Sequence, residues 1–193
     1  MGITGGVGSG KSRVLEILKE EYGFRVIQAD QVAKDLMQPG QESYRAVVDF
    51  LGPSILNEDG TINRPAMAQV IFGCPDKRVQ VDRLTHPLVW NTAFGEALAC
   101  PEPLVVIEAA IPSKEFRDNC GEMWYVYTSE ENRIRRLKEN RGYSRERSLS
   151  IMKNQLSDEE FRELADRVID NNGTVEEVKA GLEALLKDKG RET

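Results

Sequence analysis

Eight consecutive residues near the amino end, Gly5-Gly6-Val7-Gly8-Ser9-Gly10-Lys11-Ser12, carry the spacing G-x-x-x-x-G-K-[ST]. Phosphate chemistry needs these residue types in this order. Glycines let the backbone of residues 5–10 fold tightly enough for several N–H groups to point at one anion. A helix beginning near Lys11 adds the positive end of its dipole. The Lys11 ammonium can reach the β and γ phosphates of a nucleotide, and the Ser12 hydroxyl suits Mg²⁺. Gly6, Val7, Gly8, Ser9, Gly10, Lys11, Ser12 and the adjoining Arg13 are therefore the expected site for ATP, with Ser12 as the protein ligand to Mg²⁺.

A loop of this kind works only between a strand and a helix. Ile3-Thr4 reads as the end of a short first strand, and Ser12 to Glu21 as a helix with Val14, Leu15 and Leu18 on one side. Phe24–Ala29, Leu104–Ile107, Met123–Tyr127 and Arg167–Ile169 read as four further strands. After Gly173, the apolar positions 175, 178, 182, 185 and 186 form a helical stripe. This alternation predicts an α/β P-loop fold, with a five-stranded parallel sheet flanked by helices. The stretch after the second strand is too long for a bare loop. It predicts a helical, substrate-binding insert over about 31–103 within a single domain whose core is 1–30 and 104–193. Asp59-Gly60 marks a turn there, and Pro65, Pro75 and Pro87 each mark a helix start.

Open parallel sheets bind ligands beyond the carboxyl ends of their strands. Asp30 follows strand two, Glu108 strand three and Asp170-Asn171-Asn172-Gly173 strand five. Asp30 is the expected base, accepting a proton from an acceptor hydroxyl during phosphoryl transfer; its alternative is a helix N-cap. Glu108 is expected to act through water on Mg²⁺ or to shape the acceptor site. Seven basic residues against two acidic ones fall between Arg133 and Arg147, on and after a helix that Thr128 or Ser129 would cap. With Gly142 this end reads as a lid over about 133–147. From it Arg136 or Arg141 would neutralise the transferring phosphoryl group. His86, the only histidine, opens a helix with Pro87 and is expected to contact substrate or hold structure.

Composition narrows the partners. The chain carries 26 basic and 32 acidic residues among 193, a net charge of −6. Such a surface repels nucleic acid, so no nucleic-acid partner is expected. No apolar run is long enough for a membrane span, and no basic stretch leads into an apolar run at the amino end. Three widely spaced cysteines, Cys74, Cys100 and Cys120, predict neither a disulfide framework nor a zinc site. A cytoplasmic monomer or weak homo-oligomer with a small-molecule substrate is the expectation. Guanine-reading proteins carry an N-K-x-D sequence, and this chain has none.

Taken together, several segments resemble the dephospho-CoA kinase family. They are Ile3 through Ser12, Ala29-Asp30, Asp59 through Arg64, Val70-Ile71-Phe72, His86-Pro87-Leu88 and Val168 through Gly173. The resemblance implies a core like that of nucleotide monophosphate kinases, a helical coenzyme A-binding insert and a lid. It also implies transfer from ATP to the ribose 3′-hydroxyl of dephospho-CoA. It places Asp30 at the family's base, Gly8 to Arg13 on ATP, and the segment containing Asn171 and Gly173 along the adenine. The chain departs from the family at Arg13, where threonine is usual, at Gln28, the first position of a frequent D-A-D triplet, and at Asn140-Arg141-Gly142, where R-D-G is usual.

Overall fold

The computed structural model describes residues 1–189. The chain divides into two compact units, one of Met1–Val26 with the chain from Pro101 onward, the other of Ile27–Cys100. In chain order the elements are β1 (Gly2–Thr4), α1 (Lys11–Tyr22), β2 (Arg25–Gln28), α2 (Ala29–Leu36), α3 (Glu42–Leu51), α4 (Arg64–Phe72) and α5 (Pro75–Ala99). There follow β3 (Val105–Glu108), α6 (Lys114–Asn119), β4 (Met123–Tyr127), α7 (Glu130–Arg141), α8 (Arg145–Lys153), α9 (Asp158–Leu164), β5 (Arg167–Asp170) and α10 (Val175–Lys189).

The expected five-stranded parallel sheet is present, in the order β2-β3-β1-β4-β5. Central β1 pairs in parallel with β3, Ile3 opposite Glu108, and with β4, Ile3 opposite Trp124. Its three residues are all buried, which explains how so short a strand holds the middle of a sheet. Burial of α1 follows the apolar spacing, with Val14, Leu15, Ile17 and Leu18 turned inward. They join Ile3, Val106, Trp124, Val126 and Ile169 from the strands and Val178 and Leu182 from α10 in one core. At roughly 1.5–3 kcal/mol per fully buried large side chain, that cluster is the main stabiliser of this unit.

Cys120 sits at the end of α6, where burial pushes its thiol up to about 11. We expect a thiol reagent at pH 8 to leave Cys120 unmodified until the protein is unfolded, because the thiolate is the reactive form. Mass mapping of the labelled cysteines checks this; rapid native labelling of Cys120 is the contrary result.

The second unit is helical. Val47, Ile55 and Val81 form its core, with Met67, Val70 and Ile71 of α4 packed against them. Asp59-Gly60 makes the expected turn: Gly60 has φ 80°, Leu56 bridges Ile62, and the Asn57 N–H donates to the Thr61 carbonyl at 2.8 Å. Pro65 and Pro75 stand in the first turns of α4 and α5 as expected. Pro87 does not start a helix. It lies inside the 25-residue α5, so His86 is mid-helix as well. An internal proline costs roughly 3 kcal/mol. Burial of Val81 on one side and of Val89, Trp90 and Ala93 on the other offsets that cost.

Candidate active site

The phosphate loop joins β1 to α1. Gly10 occupies the α1 N-cap with φ 83°, a left-handed conformation favourable only to glycine. A Cβ there would collide with the Asn171 amide and come within 3.0 Å of Arg136. The glycine is needed because other elements press against the loop from behind.

Those elements fix the loop's carbonyls. The Ser9 carbonyl accepts from the Thr128 hydroxyl at 2.9 Å, the Asn171 amide at 2.7 Å and the Arg136 guanidinium at 3.2 Å. In a trans peptide C=O and N–H point opposite ways. Pinning the Ser9 carbonyl behind the loop therefore turns the Gly10 N–H toward its front, where the amino end of α1 also opens. Three side chains from three segments thus fix the orientation of one loop amide.

Lys11 donates to the Gly5 carbonyl at 2.5 Å, and its ammonium lies 3.8 Å from the carboxylate of buried Glu108 at the end of β3. Ser12, the second residue of α1, is exposed. Among the described residues no group of three His, Cys, Asp or Glu side chains could hold a metal ion. A Mg²⁺ here would fit the usual pattern of one or two protein oxygens, several waters and the substrate phosphates. Ser12 could supply a direct oxygen to such an ion, and Glu108 is the carboxylate at the end of the neighbouring strand.

Arg136 lies on α7, as expected. Besides Ser9, it donates to the Asn171 carbonyl at 2.7 Å, and burial lowers its pKa from the ordinary value. Arg141 ends α7 and is exposed. Arg13 is also exposed, paired with Glu16 at 2.5 Å, and Gly173 is exposed beyond β5. Thr128 does not cap α7: Ser129 takes the N-cap position without a side-chain bond, and Thr128 turns to the loop instead. The fold therefore brings Gly10, Arg136 and Asn171 together. It adds Thr128, Arg133 and Gln155, which the sequence does not single out as loop contacts. Their one sequence signal is the i, i+3 spacing of Arg133 and Arg136, which puts both on one face of a helix.

The helical unit carries its own cleft of about 800 Å³. Asp30 and Lys34 of α2, Arg64 and Met67 of α4, Ile62 and Arg78 are among its walls. Asp30 is exposed and lies in the first turn of α2, whose N-cap is Gln28, so Asp30 is not the cap. Among the described residues Lys34 and Arg64 form no ion pair, while Arg78 lies 4.0 Å from Asp82. Phe72, at the cleft's edge, is 80% exposed. His86 is not on the cleft; it is exposed and 3.9 Å from Asp82.

A parallel sheet whose central strand feeds a G-x-x-x-x-G-K-S loop, with a helical unit after β2, defines a P-loop kinase. Comparison with known proteins narrows the class. The sequence pattern described as Dephospho-CoA kinase matches residues 1–177, so this chain belongs to the dephospho-CoA kinase family. Curated relatives include the dephospho-CoA kinases of Carboxydothermus hydrogenoformans, 35% identical over 97% of this chain and 92% of the relative, and of Streptococcus mutans, 36% identical over 97% and 96%. Among solved structures, a Thermus thermophilus protein is 28% identical with a TM-score of 0.79 over 97% of this chain and 95% of that one. Shikimate kinase from Acinetobacter baumannii shares the fold at a TM-score of 0.53 and 16% identity, covering 97% of this chain and 93% of that one.

Proposed function

We propose that this chain transfers the γ-phosphoryl group of ATP to the ribose 3′-hydroxyl of dephospho-CoA, giving coenzyme A and ADP, the last step of coenzyme A synthesis. The observation that carries the reading is the preset phosphate loop in a chain of this family. The cleft of the helical unit adds support. Its cations Lys34, Arg64 and Arg78 suit a diphosphate, and Met67 and Ile62 suit the less polar arm of such an acceptor.

In this reading the amides of residues 8–12 and the Lys11 ammonium hold the β and γ phosphates. Ser12 would hold a Mg²⁺ ion, which would supply positive charge to offset that of the phosphates. Asp30 takes the proton from the acceptor oxygen as the new O–P bond forms and the bond to the β-phosphate oxygen breaks. Arg141 covers the transferring group from the α7–α8 hairpin as a lid, and Arg136 holds the loop from behind. Asn171 and Gly173 border the adenine. Glu108 would order water around such an ion, and its carboxylate keeps Lys11 in place. His86 helps hold α5 in the acceptor unit. We place the enzyme in the cytoplasm, acting as a monomer or weak homo-oligomer without nucleic-acid or membrane partners.

A coupled ADP assay with dephospho-CoA, AMP, gluconate and shikimate as separate acceptors tests the proposal. Turnover with dephospho-CoA is expected; turnover confined to any of the other three contradicts it. Arg64→Ala should raise KM for dephospho-CoA about tenfold, the loss of roughly one charge-assisted hydrogen bond, and leave KM for ATP unchanged. An unchanged acceptor KM removes Arg64 from the site.

A further inference from the structure

Both backbone polar groups of Val7 are held by side chains with no assigned part in catalysis. Its N–H donates to Gln155 Oε1 at 2.8 Å, and its carbonyl accepts from Arg133 Nε at 2.8 Å. Arg133 Nη2 closes the ring on the same Gln155 oxygen at 3.2 Å. We infer that Gln155 is a positioning residue for ATP, acting through Arg133 and Val7 to hold the phosphate loop in its binding conformation. The inference rests on the proposed function only for the identity of the nucleotide.

The geometry has a direct consequence for phosphate binding. Holding the Val7 carbonyl toward Arg133 turns the following N–H, that of Gly8, the opposite way, as with Ser9 and Gly10. The Val7 N–H faces Gln155 rather than a ligand. This sends the Gly6 carbonyl across the loop, where it accepts from the Ser9 N–H at 3.1 Å. One side-chain oxygen thus stands at the junction of two peptide orientations. Space confirms the close fit, since a Cβ at Gly6 would collide with the Arg133 guanidinium.

Charge supports a role beyond packing. Burial lowers the Arg133 pKa from its ordinary value, yet a guanidinium stays protonated. Among the described residues neither Arg133 nor Arg136 forms an ion pair; both donate to neutral oxygens. Two half-buried cations behind the loop are a fixed positive field for a polyphosphate, in addition to the helix dipole. Gln155 keeps Arg133 in that place without cancelling its charge, which a carboxylate there would do. Gln155 lies in the turn after α8, so the seat of the α7–α8 hairpin and the shape of the loop are tied together.

Calorimetric titration of ATP and ADP into the full chain tests this. Gln155→Met keeps the side chain's length and removes its acceptor. It should weaken ATP and ADP binding about tenfold and leave KM for dephospho-CoA within about twofold of wild type. Arg133→Lys keeps a charge without the forked geometry, and should weaken nucleotide binding similarly. The double variant should lose little more than either single one, because both act through one ring. Nucleotide affinity within about twofold of wild type for Gln155→Met, or fully additive losses in the double variant, overturns the inference. A wild-type protein that binds no ATP overturns the proposed function as well, a result distinct from those two.

Discussion

Lys11→Ala is expected to reduce phosphoryl transfer by about 10³-fold or more, the scale on which a fixed charge at a developing transition-state charge is lost. Lys11 is the first residue of α1 and follows a loop whose Ser9 carbonyl is already held by Thr128, Arg136 and Asn171. The substitution therefore removes charge without releasing the Ser9 carbonyl from its three donors. It does leave the buried Glu108 carboxylate short of a cation 3.8 Å away. Stability should fall as well, and Lys11→Ala with Glu108→Gln should restore stability without restoring turnover. Single-turnover rates beside denaturant unfolding of both variants check the two halves. A Lys11→Ala protein that turns over near the wild-type rate contradicts the cradle assignment.

Asp30→Asn should lower kcat by roughly 10²-fold or more if the carboxylate takes the acceptor proton. The same change should barely alter stability. Asp30 is exposed and is not the N-cap of α2, so only a first-turn dipole contribution of about 0.3–1 kcal/mol is lost. KM for ATP should also hold, because in this reading the Asp30 carboxylate acts on the acceptor oxygen and not on the nucleotide. Pre-steady-state kinetics with saturating ATP and dephospho-CoA separates chemistry from product release. A variant that loses stability while keeping kcat assigns Asp30 to the framework of α2 instead.

Much of this arrangement can be read from residue patterns because burial leaves its mark on sequence. Met123–Tyr127 is a run of large side chains, and it is β4 residue for residue. The Val14, Leu15 and Leu18 spacing gives the inward face of α1. Other features have no such mark. Pro87 signals a break by its backbone chemistry, but packing along α5 outweighs that preference, and the packing is visible only in three dimensions. Thr128 has the right type and place to cap α7, yet the nearby Ser9 carbonyl competes for its hydroxyl. Gln155 is one polar residue among many after α8, and its importance comes from Val7, 148 positions away. Local propensity carries no information about contacts of that kind.

The fate of the terminal phosphate of ATP distinguishes a kinase from a hydrolase directly. Incubate the purified chain with ATP, Mg²⁺ and dephospho-CoA, and follow the products by phosphorus NMR. Equal amounts of ADP and of a new monoester on the ribose 3′-oxygen are the predicted result, with no inorganic phosphate. ADP with free phosphate and an unchanged acceptor, or an ester at another oxygen, would contradict the account.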